Sequence, residues 1–565
     1  MNRQTPHIHR WLLPCLIASI SMGAIIHLAW RDCYWIDEVG QLGAGVNAWA
    51  TGDFGMYGIH PPLVRVIASL PVVCSGFHAT QNQSRVGENR ARREFKPEKY
   101  DRQEWAYGQA VMAELGDRAR WYLFLGRCMW LPAFLIVLVV VWKWCKTRTE
   151  SWGAAMFGLA MVCSMPEMLT WGARITGEMA TTSIWCLYWY FVRQQRSWSD
   201  TFAVGGLLGV ALLVRTASVF LPILALIAIT VDVAFDPSRC WRRWRVNFCQ
   251  WGVATMLGIV FLGVAYGLDQ VGKPLREFRF VSRVLGGQAG FAGNHWQDSW
   301  VGSLPVPFPE QFVSGIDLQK YDFDQPKDCY FGGHAQHGGW WWYYLAALPI
   351  KLPVGHLVLV ALGIAIAFRQ WIMGITTPQG FREAALILLP AIVLFVLTSA
   401  QIGHTRNVRY LLPCMPLLAI CLCKLATVPC WRMVAWALVI CGALETALTY
   451  PHMALFSNCI AGGPKETYRW LSHSAYDPRV EDWITREWVL AHPELRPLRG
   501  DVRDMPIQAL RNSTNIDSDI TYEIVLRMNL ETSRFRNATP IAQIGATRLV
   551  FRDATRTAEK TMHVP

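Results

Sequence analysis

Long apolar runs separated by short polar breaks fill most of this chain. They lie near residues 11–30, 121–142, 153–170, 178–192, 202–214, 217–233, 248–268, 352–368, 384–400, 408–424 and 431–449. A bilayer core about 30 Å thick takes roughly 20 apolar residues of helix to cross. The pattern therefore predicts about eleven transmembrane helices, some of them short. The first run follows Arg3, His7, His9 and Arg10. It is long for the apolar part of a signal peptide and lacks a small-x-small cleavage site, so it reads as a retained helix. After residue 450 the pattern changes to mostly polar. Helix-like stretches occur near 464–472 and 480–490. Tyr522, Ile524, Leu526 and Met528 alternate with Thr521, Glu523, Val525 and Arg527, the period of a half-buried strand, and 544–552 reads as a second strand. The expectation is an all-α polytopic membrane domain over 1–450 and a small extracytoplasmic α/β domain over 451–565.

Charge sets the direction of the spans. Alternating sides from a cytoplasmic N-terminus places Lys143/Lys146/Arg148, Arg193/Arg196, Arg239/Arg242/Arg243/Arg245, Arg369/Arg382 and Lys424/Arg432 inside. Every inside loop is then basic, as cytoplasmic loops are. Residues 31–120, 269–350 and the tail lie outside. The run 63–77 (LVRVIASLPVVCSGF) is short and carries Arg65. As a span it would invert every later loop and carry 78–120, with nine basic and seven acidic residues, to the inside. It is read as a helix lying at the outer interface.

Composition narrows the class. Of 565 residues, 53% are hydrophobic and 17% charged, against about a quarter charged in soluble domains. Disorder, a disulfide-built miniprotein and a water-soluble enzyme of this length are excluded. The 28 Trp suit membrane interfaces. The net charge of +12 follows from the basic inside loops, so no nucleic-acid partner is expected. The 16 Cys sit mostly within apolar runs, and no CxxC pair has metal spacing.

Candidate chemistry gathers at the outer ends of the spans. Asp37 and Glu38 follow the first span in YWIDEVG; an Asp there serves as a helix N-cap, or as a general base beside a carboxylate that positions a ligand or metal. A Gly-containing loop leads to His60 in GIHPPL. Arg127 lies early in the second span, and Arg174 and Glu178 flank the outer ends of two others. Ionisable groups at such depth are costly and usually functional. His404, Arg406 and Arg409 cluster in GHTRNVRYLLP, and Arg geometry suits a phosphate. His334-x-x-His337 has a spacing that metal ligands use, but the flanking Gly-Gly pairs argue against a helical HxxH site. A divalent metal ion is left open as a cofactor.

Together these elements resemble the GT-C membrane glycosyltransferases of the protein O-mannosyltransferase and aminoarabinose-transferase branch, with a flavour of the dolichyl-phosphate-mannose–protein mannosyltransferase-like members. The resemblance covers most of residues 11–475. It is carried by the Asp-Glu pair, HPPL, LGRCMWLP, ARITGEMA, GGHAQHGGWWWYYLAALPIKLP, RYLLPCMP and AGGPKETYRWL. It implies transfer of a sugar, with inversion, from a polyprenyl-phosphate donor to a hydroxyl acceptor on protein, lipid or glycan. It places that reaction at the outer face of a bacterial inner membrane, as part of cell-envelope or protein glycosylation. Asp37 matches the catalytic aspartate and Glu38 its neighbour. Arg409 matches an Arg that meets the donor phosphate, and Lys351 the Lys of a KTP-like element. Glu178 stands where the family often has Asp. SHSAYDPRVEDW stands where related chains carry DSN-x-DWGQ, which leaves the acceptor open. A flippase or transporter of a lipid-linked substrate is the competing reading, and it favours charges at mid-membrane depth. A third is an inactive scaffold whose tail binds a partner.

Overall fold

The computed structural model describes residues 8–77, 103–195, 197–235, 241–375, 377–401, 407–472, 475–495, 498–499 and 521–553. Helices dominate. In chain order the α-helices longer than four residues are α1 (Ile8–Arg31), α2 (Ile36–Thr51), α3 (Leu63–Cys74), α4 (Gln103–Leu115), α5 (Ala119–Cys128), α6 (Leu131–Thr149), α7 (Trp152–Cys163), α8 (Pro166–Gly172), α9 (Glu178–Gln194) and α10 (Trp198–Val214). Then come α11 (Leu221–Ala234), α12 (Trp241–Ala265), α13 (Glu310–Asp324), α14 (Tyr343–Lys351), α15 (Val354–Ile372), α16 (Pro378–Ala400), α17 (Cys414–Leu422), α18 (Pro429–Thr449) and α19 (Asp482–Ala491).

All eleven apolar runs are helical. Among the described residues seven helical stretches are long and apolar enough to cross a membrane: 11–31, 103–149, 216–234, 244–265, 354–372, 379–400 and 429–449. The pair α7 and α8 bends by 66° and makes an eighth if taken as one span. The bend falls where Pro166 starts α8 and has no N–H to continue the preceding helix. At 17 residues each, α9 and α10 are shorter than a straight crossing needs, as is α17. Leu13, Ile20, Val139, Met256, Val264, Ile364, Ile392 and Leu444 leave their apolar side chains exposed along the spans. A water-soluble protein does not bear so extensive an apolar surface, and the chain is an integral membrane protein.

The helix α3 is 12 residues long. At 1.5 Å per residue it reaches roughly 18 Å, well short of a bilayer core. It packs beside α2 because Gly45 has no side chain: a Cβ there would sit 2.1 Å from the carbonyl oxygen of Arg65. Gly43 and Gly108 bring α2 and α4 together in the same way, with a Cβ on Gly43 only 2.6 Å from Gly108 Cα.

Two strands, β1 (Asp328–Phe331) and β2 (His334–His337), form an antiparallel hairpin in the 269–350 region. The tail holds β3 (Leu498–Arg499), β4 (Thr521–Leu526), β5 (Ala542–Ile544) and β6 (Arg548–Asp553) in the order β3-β4-β6-β5, with β3 parallel to β4 and the other pairs antiparallel. Alternation along the strands divides the side chains between two faces. Ile524, Ile544 and Val550 pack with Val489 of α19, while Val525, Leu549 and Phe551 pack with Phe535. The stretch 464–472 is not an α-helix. It holds a single 3-10 turn, Thr467–Arg469, after the left-handed Gly462 and Gly463.

Candidate active site

Trp35 is the residue that caps α2, with extended backbone, which places Asp37 and Glu38 second and third in the helix. The Trp35 N–H donates to Glu38 Oε2 at 3.1 Å, so Glu38 satisfies the helix start and Asp37 is not the cap. Glu38 is wholly buried. It also accepts from the Ile175 N–H at 3.0 Å and pairs with Arg127 through two bonds, Nε to Oε1 at 2.9 Å and Nη2 to Oε2 at 2.6 Å. Burial pushes the Glu38 carboxyl up, and the guanidinium groups of Arg127 and Arg174 outweigh it and hold the group below its ordinary value. Arg127 donates its remaining N–H groups to the carbonyls of Ala29, Asp32 and Cys33. A guanidinium has five N–H bonds, and here all five have protein acceptors, which leaves none for a phosphate. The sequence places Glu38 and Arg127 in the reacting site; the structure uses them to brace the end of α1 against α2.

Asp37 faces the other way and keeps its side chain 23% exposed. Its Oδ2 accepts from Arg409 Nη2 at 2.6 Å, and its Oδ1 from the Tyr57 hydroxyl at 3.3 Å. Tyr57 is buried with φ at +59°, a left-handed conformation that costs energy for a bulky residue. The buried Arg65 holds that loop by donating to the carbonyls of Phe54, Tyr57 and His60 at 2.7, 3.2 and 2.6 Å. The His60 ring packs edge-on to Tyr57 with centroids 4.9 Å apart. His60 thus stands one residue removed from Asp37.

Arg409 joins Asp37 to a second acidic group. Its Nε lies 3.4 Å from Glu178 Oε1, and Arg215 Nη1 approaches the same oxygen at 3.8 Å. The Tyr410 ring lies near both guanidinium groups, 5.5 Å from Arg409 and 5.3 Å from Arg215. The Trp171 ring lies 5.2 Å from Arg409 and donates its N–H to Glu167 at 2.7 Å. Glu167 in turn pairs with Lys351 Nζ at 3.1 Å. Lys351 is buried in that pair, one aromatic ring away from Arg409.

A cavity of about 330 Å³ opens beside this cluster. Its walls are mostly apolar, among them Val219, Phe220, Leu285, Phe323, Leu394 and Leu397, and Glu178, Arg215, Lys320 and Arg409 supply its charge. Arg409 is about nine-tenths buried; its Nε meets Glu178 only as the 3.4 Å ion pair, and the two N–H groups of its Nη1 have no hydrogen-bond partner among the described residues. Buried donors are seldom left in that state. Two unmet N–H groups at the wall of an apolar cavity are an anion-binding feature.

Comparison with known proteins gives two solved structures. The chain is similar to the crystal structure of ArnT from Cupriavidus metallidurans bound to undecaprenyl phosphate, at 12% identity and a TM-score of 0.45, over 96% of this chain and 98% of that one. It is similar to the apo structure of the same protein at 12% identity and a TM-score of 0.42, with the same coverage. No protein-family model and no curated protein matches.

Of the candidates read from the sequence, the structure brings together Asp37, Arg409 and Glu178, with His60 and Lys351 each one side chain away. His404 and Arg406 lie outside the described residues. His334 and His337 sit on an exposed strand three residues apart, where side chains point to opposite faces, and His337 Nδ1 bonds Asp328 at 3.0 Å. Among the described residues no three His, Cys, Asp or Glu side chains converge as a metal site. Sequence reasoning missed Tyr57, Arg215 and Lys320. Arg215 carried a signal: it is a basic residue between two apolar runs on the side assigned to the outside, against the usual charge rule.

Proposed function

We propose that this protein is an inverting glycosyltransferase that moves a sugar from a polyprenyl-phosphate donor to a hydroxyl acceptor. The observation that carries the reading is Arg409, buried between Asp37 and an apolar cavity with the two N–H groups of its Nη1 unmet among the described residues. An apolar chain suits the cavity walls, and a phosphate suits the free donors of Arg409 with Arg215 and Lys320 nearby. Asp37 then lies one hydrogen bond from the phosphate-binding group, which sets base and leaving group side by side.

In the reaction the acceptor oxygen bonds to the anomeric carbon as the bond from that carbon to the phosphate oxygen breaks. The hydroxyl proton passes to Asp37. The leaving phosphate already bears charge, and the cations hold it as its charge grows. Tyr57 and Arg409 orient the two oxygens of Asp37. Positive-inside sidedness assigns Asp37, Glu178, Arg215, Lys351 and Arg409 to the same outer face, and a bacterial inner membrane fits the family that the motifs resemble. The pattern of HPPL and RYLLP elements supports the GT-C assignment, and the mannosyltransferase-like flavour is part of this proposal.

Asp37→Asn tests it. The substitution keeps shape and removes the base. With a labelled undecaprenyl-phosphate sugar and envelope extract as acceptor, turnover should fall by roughly 10²–10⁴-fold while the protein still folds. Near-normal turnover, where chemistry limits the rate, would reject Asp37 as the base.

A further inference from the structure

The tail does more than follow the last span. Its segment 478–483 lies directly on the exit of α1. The Cys33 N–H donates to the Val480 carbonyl at 2.9 Å. Tyr34 packs edge-on to Trp483 with centroids 6.1 Å apart. Between these contacts Glu481 is fully buried.

Every side of that carboxylate is used. It accepts from the N–H of Ala546 at 2.9 Å, the N–H of Thr547 at 3.0 Å and the Thr547 hydroxyl at 2.7 Å, all at the turn into β6. His452 Nδ1 lies 2.7 Å away and Arg31 Nη2 3.6 Å away. Gly545 lets the turn close over it, because a Cβ there would meet Glu481 at 2.4 Å. Arg31 then bonds Asp32 Oδ1 at 2.9 Å, and Asp32 Oδ2 accepts from Arg174 Nη2 at 2.8 Å. Arg174 reaches Glu38 Oε2 at 3.5 Å, and Glu38 is bound to Arg127. Five charges, Glu481, Arg31, Asp32, Arg174 and Glu38, thus alternate in sign from the tail to the residue next to Asp37, and Arg127 pairs with the last of them.

We propose that Glu481 is a positioning residue for the transfer reaction: through Arg31, Asp32 and Arg174 it fixes the first turn of α2 and so the direction of Asp37. The proposal rests on reading Asp37 as the base. Alternation matters because a buried charge keeps its place only while its partner does. Neutralising one end frees Arg31 and loosens Asp32, and the loosening passes along the row to Glu38. A displacement of about 1 Å at a reacting group costs up to roughly 10²-fold in rate.

The test uses the full chain in nanodiscs, with labelled undecaprenyl-phosphate sugar and envelope extract, and with undecaprenyl phosphate as the binding probe. Glu481→Gln should lower kcat about 10- to 100-fold and leave the affinity for undecaprenyl phosphate within about twofold. Arg31→Gln should do the same. The double variant should lose no more than the worse single one, because both cut the same row. If Glu481→Gln does not fold, Arg31→Gln alone decides by the same split between kcat and donor affinity. Wild-type kcat in a folded variant, equal loss of kcat and donor affinity, or additive losses in the double variant would overturn the proposal. If Asp37→Asn also turns over normally, the reading of the base has failed instead.

Discussion

Asp37 and Glu38 are neighbours with opposite tasks. Their side chains leave α2 about 100° apart, the turn per residue of a 3.6-residue helix, so one meets the cavity cluster and the other the end of α1. Arg409 is the counterpart of Asp37, and its replacement has a definite size. Arg409→Ala should weaken use of the donor by about 1.5–3 kcal/mol, the range for a hydrogen bond to a charged group. Arg409→Lys should restore only part of that, since an ammonium has no planar fork to share between Asp37 and a phosphate. Unchanged donor affinity in Arg409→Ala would remove it from the site. Glu38 predicts a pH effect. Its folded value lies below the ordinary 4.5, so its contribution to stability is complete above that pH and is lost as pH falls through the lower folded value. Thermal unfolding midpoints measured from about pH 6 to pH 3 should decline in the wild type and decline less steeply in Glu38→Gln.

At the scale of elements, α2, α3 and α4 form the platform on which Asp37 and the Tyr57 loop sit, and glycines let them touch. Gly45→Ala would drive a methyl group into the Arg65 carbonyl and Ser69 Oγ. Overpacking of this kind costs typically about 1–3 kcal/mol, so the unfolding midpoint should drop. Gly206→Ala in α10 meets nothing within 4 Å and should be neutral or slightly stabilising, since Ala favours a helix over Gly by about 1 kcal/mol. Equal behaviour of the two variants would remove the packing argument. The long apolar helices were readable from the runs of apolar residues, because helices in lipid need them, whereas α2, α4 and α13 lie outside those runs. The pairing of side chains was not. Arg127 and Glu38 are 89 residues apart, and nothing in their local sequence says that each satisfies the other. Tyr57 was hidden for another reason: its role depends on a left-handed backbone in a loop that Arg65 holds through three carbonyls.

The whole molecule must also choose its sides. If 63–77 lies along the outer interface, cysteines at Asp117→Cys and Thr532→Cys should react with an impermeant reagent on intact cells, and Arg432→Cys should not, in a background without reactive native Cys. Protection at 117 and 532 with labelling at 432 would make 63–77 a crossing segment. The row of charges from Glu38 to Glu481 carries a further consequence, one of timing. Arg31 leaves the ribosome 450 residues before Glu481. Until it arrives, the carboxylate beside Arg31 is that of Asp32, which Arg174 shares. Before the tail covers it the Arg31 guanidinium keeps its water, and Glu481 replaces that water as the segment docks. The support of the site's mouth thus closes only when the tail folds back onto the exit of the first helix, joining segments made far apart in time.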